Sequence, residues 1–258
     1  MELNLKNRLF IVTGASSGFG EAIARQLIFE GASVIAVARN QEKLKKLSAD
    51  CGSSLETMAQ DVTGLDFPEK IIQKLKGRVP YGIVVNAGGP PSGGFFDVPG
   101  ESWDKAYRDV FLWKAGFLKL MVPIMREAAG GRILMIESVS VKQPVEGLIL
   151  SNTFRPAVVG MSKTLAAEVA SEGITINILA PGYHETAAMQ RLYERKSQNT
   201  GVSVEDAKNL FINESGAGKM GDPADFAMLA VWLLSPSSSY VNGQVISVAG
   251  NLVKGIFG

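Results

Sequence analysis

Short apolar runs alternate with longer amphipathic ones along this chain. The runs at Leu9–Thr13, 34–38, 55–61, 82–86, 133–137, 175–180 and Val245–Val248 read as strands. Several are apolar at every position, as strands covered on both faces are. Between them the spacing predicts helices over 19–30, 41–49, 68–76, 102–128, 153–172 and 223–234. Asp222-Pro223 reads as an N-cap followed by a first-turn proline, and Ser203-Val204-Glu205-Asp206 as a capping box with Asp for the usual Glu. The alternation predicts an α/β fold, a doubly wound parallel sheet of seven strands with helices on both faces. The 258 residues suit one such domain over 1–258. One stretch, 183–221, interrupts the rhythm with polar and helical sequence. An insertion after the carboxyl end of a strand is the place for a substrate lid.

Composition narrows the partners. Hydrophobic residues make up 46%, enough for a large core, and the net charge is only +1. No basic stripe is present, which argues against nucleic acid. The longest apolar runs, such as 226–234, are too short to cross a bilayer. The opening MELNLKNR lacks a signal-peptide core. A single cysteine, Cys51, precludes an internal disulfide, and one histidine beside it cannot complete a Cys/His zinc site. The expectation is a cytoplasmic protein with no metal.

The first strand runs into Gly14-Ala15-Ser16-Ser17-Gly18-Phe19-Gly20, and a helix follows. Glycines let a backbone turn tightly and approach a diphosphate, while a helix N-terminus offers free N–H groups. The spacing 14, 18, 20 is not GxGxxG. The string TGASSGFG (13–20) resembles the cofactor loop of the short-chain dehydrogenase/reductase family. Asn86-Ala87-Gly88 is similar to that family's NAG motif, Asp61-Val62 to its adenine-contacting pair, and Pro181-Gly182 with Thr186 to the segment flanking the nicotinamide. The end, from Lys219-Met220-Gly221-Asp222-Pro223 to Ser247, resembles the family's last helix and strand. The resemblance covers nearly the whole chain and is to the classical type, as in 3-oxoacyl carrier-protein reductases. It implies a Rossmann-type domain binding a nicotinamide dinucleotide through Gly14, Ser16, Ser17, Gly18, Phe19 and Gly20. It also implies contacts from Asp61, Val62, Asn86, Ala87, Gly88, Pro181, Gly182 and Thr186.

The second strand ends Val37-Ala38-Arg39-Asn40. No acid stands there to hold a ribose 2′-hydroxyl, and Arg39 offers a fork of donors suited to a 2′-phosphate. NADP(H) is expected over NAD(H), with Ser16 and Ser17 adding hydroxyls.

The resemblance implies a working set of Asn, Ser, Tyr and Lys. Ser138 matches the serine. Thirteen residues on, Ser151 stands where the family has tyrosine, and Arg155 where it has lysine; Val110 takes the asparagine position. A carbonyl gaining hydride needs a proton or a positive charge. Tyrosine ionises near pH 10 and can be tuned to donate; serine is a far weaker acid, and arginine is a fixed charge rather than a proton donor. Ser151 and Arg155, spaced i,i+4, share one helix face. Arg155 could hold ribose hydroxyls, stabilise an oxyanion, or serve as a structural ion-pair partner. Other candidate proton sources are His184, Tyr183 and water. Alternation along the fifth strand should point Glu137 away from the face that Ser138 uses.

Two readings stay open. One is an NADP(H)-linked oxidoreductase acting on a small-molecule carbonyl or secondary alcohol, with Ser138, Ser151 and Arg155 at the reaction centre. The other is a nucleotide-holding protein that has lost hydride chemistry and regulates or assembles. The family pairs its long helices between subunits, so Phe111, Trp113, Phe117 and Met121 suggest an exposed apolar surface for a homodimer or homotetramer. The tail 252–258 suggests another contact.

Overall fold

The computed structural model describes residues 2–128 and 130–256. Seven strands, β1 (Leu9–Thr13), β2 (Ser33–Ala38), β3 (Leu55–Ala59), β4 (Gly82–Val85), β5 (Gly131–Ile136), β6 (Ile174–Pro181) and β7 (Val245–Val248), form one sheet in the order β3-β2-β1-β4-β5-β6-β7. Every pairing is parallel. The helices are α1 (Gly18–Phe29), α2 (Gln41–Cys51), α3 (Phe67–Leu75), α4 (Gly100–Ala106), α5 (Trp113–Arg126), α6 (Ile149–Glu168), α7 (Ala187–Thr200), α8 (Val204–Glu214) and α9 (Pro223–Leu233). This is the doubly wound, Rossmann-type α/β fold that the alternation of elements predicts.

The two faces of the sheet carry separate cores. Phe10, Val12, Val34 and Ala36 point to the layer of α1, α2 and α9. Ile11, Ile35, Val37 and Ile83 point to the layer of α3, α5 and α6. Successive side chains on a strand alternate between faces, so an all-apolar strand feeds both cores. Phe117 and Met121 lie inside the second core and Trp113 is buried at its edge, so these three are not a surface for another subunit.

Most boundaries shift by one or two residues, and three differences bear on the site and its surroundings. The helix expected over 102–128 is α4, a π-helical segment Tyr107–Leu112, and α5. The helix expected from 153 begins at Ile149, and Thr153 lies inside it. Its hydroxyl donates to the Ile149 carbonyl 2.9 Å away, a helix-interior bond. The third strand stops at Ala59, where Asp61 accepts from the Thr63 backbone and begins a turn. The two expected caps are present: Asp222 accepts from the Ala224 amide, and Ser203 accepts from the Asp206 amide.

Residues 183–221 hold α7 and α8, which pack on a small core of their own built from Met189, Tyr193, Ala207 and Met220. Burial pushes the Tyr193 phenol up to about 12. The tail expected to make a contact ends at 257 and 258, outside the described residues.

Candidate active site

The order of strands reverses between β1 and β4, and a crevice opens beyond their carboxyl ends, where ligands sit in folds of this kind. Thr13 ties the two strands. Its hydroxyl accepts from the Asn86 amide at 2.8 Å and donates to the Asn86 carbonyl at 2.8 Å. Gly14 (φ +62°) and Gly18 (φ +58°) take left-handed conformations that other residues reach only under strain. A side chain on Gly14 would meet Asn86 Nδ2 at 2.7 Å, and one on Gly20 would collide with the Gly14 carbonyl. Ser17 is the N-cap of α1, yet its side chain makes no capping bond. The first amides of the helix are thus left facing the loop without an intramolecular acceptor.

The other residues expected around a dinucleotide surround this loop. Ala87 packs against the second core, while Gly88 borders open space. Thr186 is the N-cap of α7, and its methyl lies against Gly18. Pro181 ends β6, and the Gly182 amide donates to the Val248 carbonyl at 3.0 Å. Phe19 does not open toward the crevice alone. It packs on Phe226 and, edge to face, on His184 at 5.0 Å. At the end of β2, Asn40 is consumed in capping α2, which leaves Arg39 exposed, 3.9 Å from Asp61. Asp61 is engaged by Thr63, and Val62 packs on the second core. Burial works against the charge of Asp61, but the Thr63 bonds and Arg39 hold its carboxyl below its ordinary pKa.

Beyond β5 lies a buried polar cluster. Ser138 accepts from the Ser140 amide at 3.2 Å, and the Ser140 hydroxyl is 3.0 Å from that of Ser151. Arg155 Nε donates to Ser151 Oγ at 3.0 Å, and its Nη1 donates to Glu137 Oε2 at 2.8 Å. The remaining nitrogen, Nη2, has no hydrogen-bond partner among the described residues. It lies 3.1 Å from where a Gly89 side chain would begin. That is the loop after β4, so the open edge of the guanidinium faces the crevice.

Glu137 therefore belongs to the site, against the expectation that it points away. Alternation itself holds. Ile133 and Met135 face α5 and α6, and Glu137 continues on that side. β5 ends at Ile136, and the turn beyond it brings Ser138, through Ser140 and Ser151, to the same cluster as Glu137. Glu137 Oε1 accepts from Lys114 Nζ, a residue of α5 that sequence reasoning passed over. Burial pushes the Lys114 ammonium's pKa down; Glu137 opposes this and Arg155 adds to it. A signal existed. Lys114 stands on the apolar stripe of α5 with Phe117, Leu118 and Met121, where a solvated lysine has no place.

The other candidate proton sources are engaged elsewhere. His184 is buried between Phe19 and Phe226, with Nδ1 3.2 Å from the Gly182 carbonyl, and burial lowers its pKa. It is a packing residue. The Tyr183 hydroxyl donates to Glu214 of α8 at 2.7 Å, and its pKa is raised, chiefly by burial.

Comparison with known proteins agrees with this architecture. The family model described as "Enoyl-(Acyl carrier protein) reductase" matches residues 14–251. Dehydrogenase/reductase SDR family member 4 of Mus musculus is 32% identical over 257 residues, covering 95% of this chain and 87% of that protein. The 3-oxoacyl-[acyl-carrier-protein] reductase FabG of Vibrio harveyi is 28% identical over 253 residues, covering 97% and 99%. Among solved structures, an actinorhodin polyketide ketoreductase with NADPH superposes with a TM-score of 0.91 at 28% identity, covering 96% of this chain and 98% of that one. The L-sorbose reductase of Gluconobacter frateurii reaches 0.92 at 24% identity, covering 99% and 100%, a likeness of fold. Strand order, glycine loop and a match over almost the full length lead to one assignment: this chain is an oxidoreductase of the short-chain dehydrogenase/reductase family.

Proposed function

We propose that the chain transfers hydride between NADP(H) and a carbonyl or secondary alcohol, with Ser138, Ser151 and Arg155 around the reacting oxygen. The residues present suit the dinucleotide. Gly14 and Gly20 leave no room for side chains where the loop meets Asn86, and the uncapped amides of α1 are free for a diphosphate. Arg39, with no acid at the end of β2, suits a 2′-phosphate. The ketoreductase at 28% identity was solved with NADPH. When bound, the cofactor supplies or accepts the hydride.

The observation that carries the reading is the orientation of Arg155. Two of its nitrogens are fixed by Ser151 and Glu137, and the third is directed at the crevice. A donor held in place before reaction stabilises charge on an oxygen without reorganising. Ser151 accepts from Arg155, so its own proton is free to point at Ser140 or at the substrate oxygen. Ser138 likewise accepts from a backbone amide and keeps its proton to donate. Neither serine is a strong acid, so the proton that completes reduction comes from water, relayed through Ser151. The pair α7 and α8 serves as the lid, and Arg195 of α7 already reaches Ser92 in the loop after β4. Among the described residues no helix is long and apolar enough to cross a membrane. The groove between α5 and α6, lined by Leu118, Val122, Met161 and Leu165, supports assembly as a homodimer or homotetramer in the cytoplasm.

The test is a fluorescence titration with NADPH followed by a turnover screen of carbonyls and alcohols. Binding with turnover that falls at least about 100-fold in Arg155→Ala is expected. Tight binding with no turnover across a broad panel would instead assign the fold a nucleotide-holding role.

A further inference from the structure

The polar cluster holds one more cation than its carboxylate can neutralise. The side chains of Lys114, Glu137 and Arg155 are 3%, 0% and 10% exposed. Two cations and one anion thus share a place from which water is nearly excluded. Such an imbalance is costly, and it points to a role for the surplus charge. The carboxylate is divided: Oε1 accepts from Lys114 and Oε2 from Arg155. Lys114 has no route to the crevice of its own, since Glu137 is its only hydrogen-bond partner among the described residues.

We propose that Lys114 is a positioning residue that sets the charge of the reaction centre: by occupying half of Glu137, it leaves Arg155 a net positive charge toward the reacting oxygen. The inference rests on the role given above to Arg155. With Lys114 protonated, the three groups sum to one positive charge, and an oxyanion beside Nη2 is attracted. With Lys114 neutral, Glu137 cancels Arg155, and the attraction falls. The charged groups facing Lys114 are Glu137 at the end of β5 and Arg155 on α6; on its own side of the chain, Asp109 is paired with Lys105. The burial that lowers the Lys114 pKa moves this loss of charge below the ordinary lysine range. One unit of charge gained or lost beside an oxyanion, at the effective dielectric of a protein site, changes rate or affinity roughly 10- to 100-fold.

Two variants and two probes test this. Lys114→Met removes the charge but leaves Glu137 and Arg155 as a neutral, hydrogen-bonded pair, so the fold is retained. Lys114→Arg keeps the charge at every accessible pH. In turnover, kcat of Lys114→Met should fall roughly 10- to 100-fold at neutral pH, with KM nearly unchanged. The wild type should lose kcat on the alkaline side, and Lys114→Arg should restore the rate without that limb. Acetate provides a readout without turnover. It stands in for the anionic oxygen and is titrated through tryptophan fluorescence of the protein alone and nicotinamide fluorescence of the NADPH complex. It should bind wild type and Lys114→Arg at least about 10-fold more tightly than Lys114→Met. Equal acetate affinity in wild type and Lys114→Met, including no binding by either, overturns the proposal. So does an unchanged kcat in Lys114→Met. Failure of NADPH to bind, with acetate still discriminating between the variants, sinks the hydride-transfer role of the crevice and keeps only the electrostatic link between Lys114 and Arg155.

Discussion

At the scale of single residues, the site is defined by what each side chain has already been given to do. Arg39 is exposed beside a spent Asn40, so it is the free donor at the end of β2. Arg39→Ala should weaken NADPH roughly 10- to 100-fold, the loss of charge-assisted hydrogen bonds, and leave NADH nearly unaffected; calorimetry with both cofactors decides it. Among the described residues, Glu137 is the only anion touching two buried cations. Glu137→Gln should cost about 3–5 kcal/mol in urea unfolding, because it strands charges rather than removing them. Gly20 is closed on one side by the Gly14 carbonyl. Gly20→Ala should cost about 1–3 kcal/mol and lower NADPH affinity at the same time, since the strain falls on the loop itself. The family resemblance made Ser138, Ser151 and Arg155 visible, because the family's motif places its working residues at fixed offsets after a strand. It hid Lys114 and Glu137, because a contact between the end of a strand and a helix some twenty residues earlier leaves no spacing to count.

At the scale of elements, local chemistry determines how far the sequence can be read. β1 and β7 occupy the ranges that their apolar runs predict, since turn residues bound each. α6 starts four residues before its expected boundary, and Thr153 bonds backward to the Ile149 carbonyl within its first turns. That shift matters for the site: it places Ser151 inside the helix, one turn before Arg155. The segment before α6 is held by Asn152, whose amide accepts from Val145 N at 3.1 Å and donates to Val145 O at 2.9 Å. Asn152→Ala leaves both groups without that partner. It should cost about 1–3 kcal/mol and broaden amide exchange through 143–148, measured by hydrogen exchange. On the far edge, Arg78 and Lys74 at the end of α3 grip Glu56 of β3, and Arg78 foremost holds its carboxyl down to about 2. A depressed carboxylate contributes stability that is complete above its ordinary pKa and lost as pH falls through about 2. Acid unfolding of Glu56→Gln should therefore show a shallower slope between about pH 4.5 and 2 than wild type, modest in size because the pair is partly exposed.

At the scale of the whole molecule, the sheet is a platform and the chemistry lies on the loops and helices beyond the carboxyl ends of its strands. Cofactor binding to the folded state alone should raise stability by about 2.7 kcal/mol at a hundredfold excess over Kd. Thermal unfolding with and without NADPH measures this, and a midpoint that ignores NADPH would count against the crevice. The π-helical segment Tyr107–Leu112 has a consequence for everything that follows it. Each residue turns an α-helix by about 100°, so one surplus residue resets the angular phase of α5 against the sheet. Wound as a plain α-helix, the same residues would bring Trp113 into the berth of Lys114 and swing the lysine into that of Ala115, beside the groove against α6. The wide turn works as a vernier: by a one-residue offset it selects whether an indole or an ammonium sits under the reaction centre.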